Sequence, residues 1–265
     1  MAIFPRALNA LIALLTMAPS GTPALAQPND RTTSDTLFLE IGSPLVDGRV
    51  FRPHAALVRI YHGDTLTAEW LNELSIGDSA GRPVMRWVTT SHPVPSNPNR
   101  VLSVLRQTYD AITLAPLGYS STTSAGGKTA LAIDGKTVRG STHPAGAPTP
   151  TMVNRPIDRL GYFAGASDLV PVAAGLRVGS VLVAPVWGPA MSTAEDRVFA
   201  ITKDTVVTVE GTAVRSTKVE ERRRDGSLYA NWYLLRESPY MVYGEVPLPD
   251  GRWQRMTEVP ASRQR

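Results

Sequence analysis

The sequence predicts an all-β, mainly antiparallel fold: a curved sheet, open barrel or sandwich with long Pro-rich loops and one or two short helices. Three observations predict it. Val, Thr, Tyr and Trp populate segments that alternate with period two, the spacing of a strand with one buried face. The 21 Gly and 22 Pro residues gather between those segments, where they punctuate turns and loops. Asp-Gly recurs at 47–48, 134–135, 225–226 and 250–251. That pair favours a two-residue type I′ hairpin, whose central residues both need positive φ.

The elements follow in chain order. The opening MAIFPRALNALIALLTMAPSGTPALAQPND has one basic residue, Arg6, an apolar run from Ala7 to Met17, and a small-residue Ala24-Leu25-Ala26 site. This is the pattern of a secretory signal peptide, with an apolar run too short to span a bilayer. Residues 1–26 are therefore expected to be the signal peptide and 27–34 a flexible mature N-terminus. An antiparallel β domain is expected over 35–260 and a tail over 261–265. Strands are expected at 36–41, 55–61, 65–76, 83–90 and 102–114. The Pro-rich SHPVPSNPN at 91–99 interrupts them and places a subdivision near 91–100.

Further along, ALAIDGKTVRGS (130–141) reads as a hairpin and THPAGAPTPTMVNRP (142–156) as a surface loop, because proline removes ladder donors. ASDLVPVAAGL (166–176) invites a short helix, as do residues near 158–164. Strands at 178–186, 197–202 and 204–210 lead to hairpins over 219–235 (VEERRRDGSLYANWYLL) and 246–259 (VPLPDGRWQRMTEV). In the first of these, Leu228, Ala230, Trp232 and Leu234 share one face, opposite Tyr229, Asn231 and Tyr233.

Composition narrows the function. The chain has no cysteine, hence no disulfide, thiolate metal site, cysteine nucleophile or lipoprotein anchor. Removing the signal takes only Arg6 from 27 basic and 23 acidic residues. That balance is too mild for a nucleic-acid footprint, which needs clustered basic residues. The expectation is an exported protein of the periplasm or extracellular space, without a transmembrane span after signal cleavage, without cofactor and without a nucleic-acid partner.

One enzymatic motif is present. Gly77-Asp78-Ser79-Ala80-Gly81 matches G-x-S-x-G, the elbow that exposes a nucleophilic serine between a strand and a helix. Ser79, Asp110 and His143 would then form the triad in chain order. The following RPVMRWVTT alternates as a strand, however, with Pro83 close behind Gly81, so a polar turn at 78–81 is the better reading. His54, His62, His92 and His143 are dispersed, and no metal site is expected. Glu220 to Asp225 reads as a solvated hairpin tip whose mixed charges pair locally. Aromatics gather late, at Trp187, Tyr229, Trp232, Tyr233, Tyr240, Tyr243 and Trp253. Of these, Trp187, Trp232, Tyr240, Tyr243 and Trp253 are candidates to line an apolar ligand site, and ordinary core packing is the competing role.

Two resemblances bear on these residues. Residues 130–141 resemble the IDGKTLRGS segment of one class of DNA transposases, which would make Asp134 a metal-binding catalytic carboxylate. No α/β alternation surrounds the segment, so Asp134 is expected to serve a hairpin. More broadly, DLVPVAAGLRVGSVLVAPVW (168–187) and VRSTKVEERRRDGSLYANWYLLRESPYMVYGEV (214–246) resemble a family of exported bacterial proteins carrying a domain of unknown function. That family is similar in outline to periplasmic lipoprotein carriers, whose curved sheets hold acyl chains. The resemblance covers roughly 100–260 and implies a non-enzymatic protein that binds an apolar or amphipathic ligand, such as a lipid, or another envelope protein. The alternatives are a secreted serine hydrolase using Ser79 and a structural or assembly module of the cell envelope.

Overall fold

The structure is a computed structural model that describes residues 36–261. The expected signal peptide, the stretch 27–34 and all but the first residue of the expected tail lie outside the described residues. Two antiparallel meanders make up one sheet. The first comprises β2 (His54–His62), β3 (Thr65–Ser79), β4 (Arg82–His92), β5 (Ser103–Asp110), β6 (Pro116–Thr123), β7 (Lys128–Asp134), β8 (Thr137–His143) and β9 (Thr151–Pro156). The second comprises β11 (Val181–Trp187), β12 (Glu195–Val209), β13 (Thr212–Arg223), β14 (Leu228–Leu234), β15 (Met241–Pro247) and β16 (Trp253–Pro260). They join where β16 pairs antiparallel with β2, from Gln254↔His62 to Pro260↔Ala56. Two short strands, β1 (Thr36–Phe38) and β10 (Tyr162–Phe163), lie parallel against opposite halves of β11.

Among the described residues, no backbone ladder closes this sheet into a barrel: β9 ends one side of the strand order and β1 the other. Side chains bridge the gap. Arg155 on β9 donates to the carbonyls of Pro189 (2.6 Å) and Met191 (2.8 Å), just beyond β11. The Met191 carbonyl also accepts the Trp187 indole N–H at 3.0 Å. The rolled sheet encloses α1 (Leu169–Ala173), whose five residues are all buried. Around it pack the large buried side chains Phe51, Tyr162, Phe163, Trp187, Phe199 and Tyr240.

A second, smaller apolar cluster of Leu57, Val209, Val242 and Val259 lies apart from this core. It forms because the long β12–β13 hairpin bends back against β15 and β16. The bend is a register shift between Ile201 and Lys203, the extra-residue device that kinks a strand. The segments 197–202 and 204–210, expected as separate strands, are thus one bent strand. At the hairpin tip, Glu210 pairs with Arg59 of β2, which also bonds Glu69 at 3.1 Å.

Several local expectations need correction. The strand expected at 102–114 stops at Asp110, whose carboxylate accepts the N–H groups of Ile112 and Thr113 and turns the chain into β6. The loop expected at 142–156 contains β9, which pairs only with β8. An edge strand tolerates the missing donor of Pro156. Residues 158–164 do not form a helix; a single 3₁₀ turn spans Ala164–Ala166. The connection over 93–102 joins β4 and β5, which pair directly with each other.

The Asp-Gly pairs also turn differently from expectation, since none of the four aspartates takes positive φ. Asp47 caps a 3₁₀ turn at Gly48–Val50. Asp134 is the last residue of β7, and Gly135 (φ 56°) occupies the first central position of the turn, the placement of a type II′ hairpin. Gly226 (φ 84°) and Gly251 (φ 81°) end three-residue loops, closed by Arg223 N–H to Ser227 O and Leu248 N–H to Arg252 O. The I′ pattern of paired positive φ falls instead at Ala80-Gly81 (54°, 79°) and Glu210-Gly211 (48°, 78°). Gly135→Val is expected to cost about 1–2 kcal/mol, because a β-branched residue is forced to positive φ. Asp134→Asn, at an exposed strand end, is expected to stay within about 0.5 kcal/mol. Urea unfolding of the two variants checks both.

Candidate functional site

Alternation along β3, β4, β14, β15 and β16 turns one set of side chains into the rolled sheet, where they line a cavity of about 250 Å³. Trp70, Trp87, Trp232, Met241 and Met256 supply apolar walls. Asn72, Ser167, Asp168, Gln254 and Glu258 supply polar ones. Trp70, Tyr229, Val246 and Gln254 are half-buried and mark the side open to solvent. The short turn before α1 brings Gly165, Ser167 and Asp168 to the wall.

Three acids meet in this region. Glu221, on β13, is fully buried and well supplied with partners. It accepts the Trp232 indole N–H at 2.8 Å and the Ser167 hydroxyl at 3.1 Å. Arg197 of β12 faces it at 3.4 Å while lying over the Tyr229 ring at 4.1 Å. Glu258 is 2 % exposed, and its Oε1 has no hydrogen-bond partner. Asn72 is its polar neighbour. The Asn72 carbonyl is taken by the Thr89 hydroxyl at 2.8 Å, which leaves its amide N–H groups for Glu258. Asp168, which precedes α1, is half-buried and lines the cavity.

Burial dominates the ionisation of all three. It pushes Asp168 up to about 7, and the charge of Glu221 pushes the same way. Burial drives Glu258 well above the usual carboxylate range, aided by Asp168 and opposed by the Asn72 hydrogen bond. Glu221 is raised by burial as well, against the pull of Trp232, Arg197 and Ser167. A carboxyl that stays protonated in an apolar wall is a hydrogen-bond donor until a counter-charge arrives.

The triad and ligand-lining candidates from the sequence are distributed elsewhere, with one exception. Trp232 lines the cavity. Trp187 and Tyr240 are fully buried core residues, the Tyr240 hydroxyl accepting the Arg52 N–H at 2.6 Å. Tyr243 borders a groove beside Tyr61, Val207 and Glu210, beneath the β12–β13 tip. Trp253 is exposed at the start of β16.

Ser79, Asp110 and His143 are not brought together. Ser79 ends β3 and pairs with Arg82 across the Ala80-Gly81 turn, so a strand, not a helix, leaves Gly81. Asp110 is engaged by Arg82 at 2.8 Å and by the Asp110–Ala115 turn. Its burial works against the charge, but the Thr113 N–H, the Arg82 guanidinium, the Ile112 N–H and the Thr113 hydroxyl hold its carboxyl down to about 2. His143 shares a hydrogen bond with the Ala147 carbonyl at 2.8 Å. No hydrogen bond among the described residues joins any two of these three side chains.

Asp168, Glu221 and Glu258 carry the site's polarity, and sequence reasoning missed each of them. Glu221 corrects the expectation of a fully solvated charge run, because it shares a face with buried Val219. That alternation was a usable signal, as was the spacing of Glu258 from Met256. Among the described residues, no group of three His, Asp or Glu side chains is arranged to hold a metal ion, and no helix is long and apolar enough to cross a membrane.

No family model matches the chain. No curated protein matches it. Among solved structures, it is similar to the crystal structure of a β-barrel-like protein of domain of unknown function DUF1849 from Brucella abortus, at 11% sequence identity and a TM-score of 0.45. The match covers 78% of this chain and 96% of that one.

Proposed function

We propose that the protein is an exported, non-enzymatic β protein that binds a small amphipathic ligand in the cavity between the turn before α1 and strands β3, β4, β14, β15 and β16. The observation that carries this reading is the cavity itself, with tryptophan and methionine walls and a buried, unpartnered carboxyl oxygen. Small-molecule sites have this make-up: mostly apolar lining with a few placed polar groups. The methionines add adaptable packing against irregular apolar shapes. The cavity's volume lies just under the range of about 300–1,000 Å³ for drug-sized ligands, which suits a compact ligand or one end of a longer one. The role is carrier-like: the ligand is held, not transformed.

Native mass spectrometry of protein purified gently from its own host tests this. The expected spectrum shows the mature chain with a bound small amphiphile, and a Met256→Trp variant, which fills the cavity, shows the bare chain. An identical bound mass in both proteins would place binding elsewhere. Fluorophosphonate labelling that depends on Ser79 would replace this reading with a hydrolase.

A further inference from the structure

We propose that the ligand of this cavity is a small organic cation, an ammonium or quaternary ammonium on a short apolar chain, with Glu258 and Asp168 as its counter-charges; the assignment rests on the cavity being the binding site. A buried acid is tolerated when it is paired or hydrogen-bonded. Glu221 meets that condition through Arg197, Trp232 and Ser167. Glu258 and Asp168 form no ion pair with any described residue, both line the cavity, and the Glu258 Oε1 is buried without a hydrogen-bond partner. The surrounding walls suit a cation, because Trp70, Trp87 and Trp232 border the same volume. Indole attracts cations across its face more strongly than any other aromatic side chain.

The remaining charges nearby do not change the sign. Arg197 is committed to Glu221 and to the Tyr229 ring, and Arg223 also lies against that ring, at 5.1 Å. From β5, the buried Tyr109 phenol faces Asp168 and stays neutral, its ionisation raised by burial and by that acid. An anionic ligand would therefore face uncompensated acids. A neutral one would leave Glu258 unpaired whenever it ionises. Burial favours the protonated form of Glu258 and of Asp168 in the absence of a counter-charge. An entering cation takes the place of those protons, so binding releases protons and strengthens as pH rises.

Calorimetric titration with hexyltrimethylammonium, hexyl sulfate and hexanol, at about pH 6 and about pH 8.5, tests the assignment on the mature protein. The expected result is preferential binding of hexyltrimethylammonium, about tenfold tighter at the higher pH. Proton release should appear as a dependence of the measured heat on buffer ionisation enthalpy. Glu258→Gln, a neutral copy of a group already held protonated, is expected to fold. It should weaken the ammonium probe by about tenfold at the higher pH and leave hexanol unaffected; Asp168→Asn gives an independent second arm. Equal or tighter binding of hexyl sulfate or hexanol, or ammonium binding indifferent to pH and to both variants, overturns the cation while leaving the cavity as a site. No binding of any probe, with unchanged tryptophan emission, removes the cavity reading and the cation together.

Discussion

Trp187→Ala is expected to destabilise the protein by about 4 kcal/mol, within the range for truncating a buried aromatic. The side chain is 0% exposed, and its ring lies 5.8 Å from Phe163. It sits at the end of β11, where β10 pairs on one side and β12 begins on the other. Alanine would open a void in packing that cannot collapse around a strand held on both edges. It would also remove the indole donor from the Met191 carbonyl, which Arg155 shares. For a chain of this size the loss corresponds to roughly 8–16 °C in Tm. Trp187→Phe should cost less, about 1–2 kcal/mol, because most of the volume stays and the carbonyl keeps Arg155. Urea denaturation followed by circular dichroism, with the slope checked for constancy, measures both. A loss below about 1 kcal/mol for the alanine variant would show that Trp187 is not packed as the structure has it.

The second large effect concerns pH. Asp168 has a folded-state pKa of about 7 against an ordinary value of 3.8. Between those values the folded protein holds a proton that the unfolded chain has released. Stability from this group is therefore fully present below about pH 4 and is lost as pH rises through about 7. Glu258 is raised in the same direction by burial and adds to the loss. The full shift of Asp168 is worth about 4 kcal/mol, and contact with the cavity reduces this to an expected 2–3 kcal/mol or so between about pH 5 and about pH 8. Asp110 acts oppositely: held near 2, it contributes stability above about pH 4 that disappears as pH falls through 2. The protein should thus be most stable in mildly acidic solution. Thermal unfolding across pH should show Tm falling toward pH 8, and Asp168→Asn should flatten that limb. A Tm that climbs from pH 5 to pH 8 in the unliganded protein would rule out a neutral acid at this position.

Much of the sheet could be read from the residues, because period-two patterning survives wherever one strand face is wet. β2, β3, β4, β11 and β14 fall close to their expected positions for that reason. β6 was hidden because Pro116, Gly118 and a run of Ser and Thr lack an apolar alternation. β9 was hidden by flanking prolines, which an edge strand accommodates. The turn types depended on the register between strands, which no local dipeptide carries. Ala80-Gly81 and Glu210-Gly211 adopt the twisted I′ form because long paired arms impose it, while Asp225 and Asp250 serve wider loops. The cavity was the least legible feature. Its acids come from the turn before α1 and from β16, and only the rolling of the sheet makes them neighbours. Trp232 was visible as a candidate because it stood among other aromatics; Trp70 and Trp87 stood alone in their strands and drew no notice.

The antiparallel contact between β16 and β2 has a consequence for the order of assembly. It ties residues 254–260 to residues 56–62, among the widest sequence separations in the described chain. A polypeptide emerging from its N-terminal side can complete β2 to β9 long before the partner of β2 exists. Until the last strand is made, β2 waits as an exposed rim with its hydrogen-bonding groups unmet, open to pairing with other chains. The slow, non-local step therefore waits for β16.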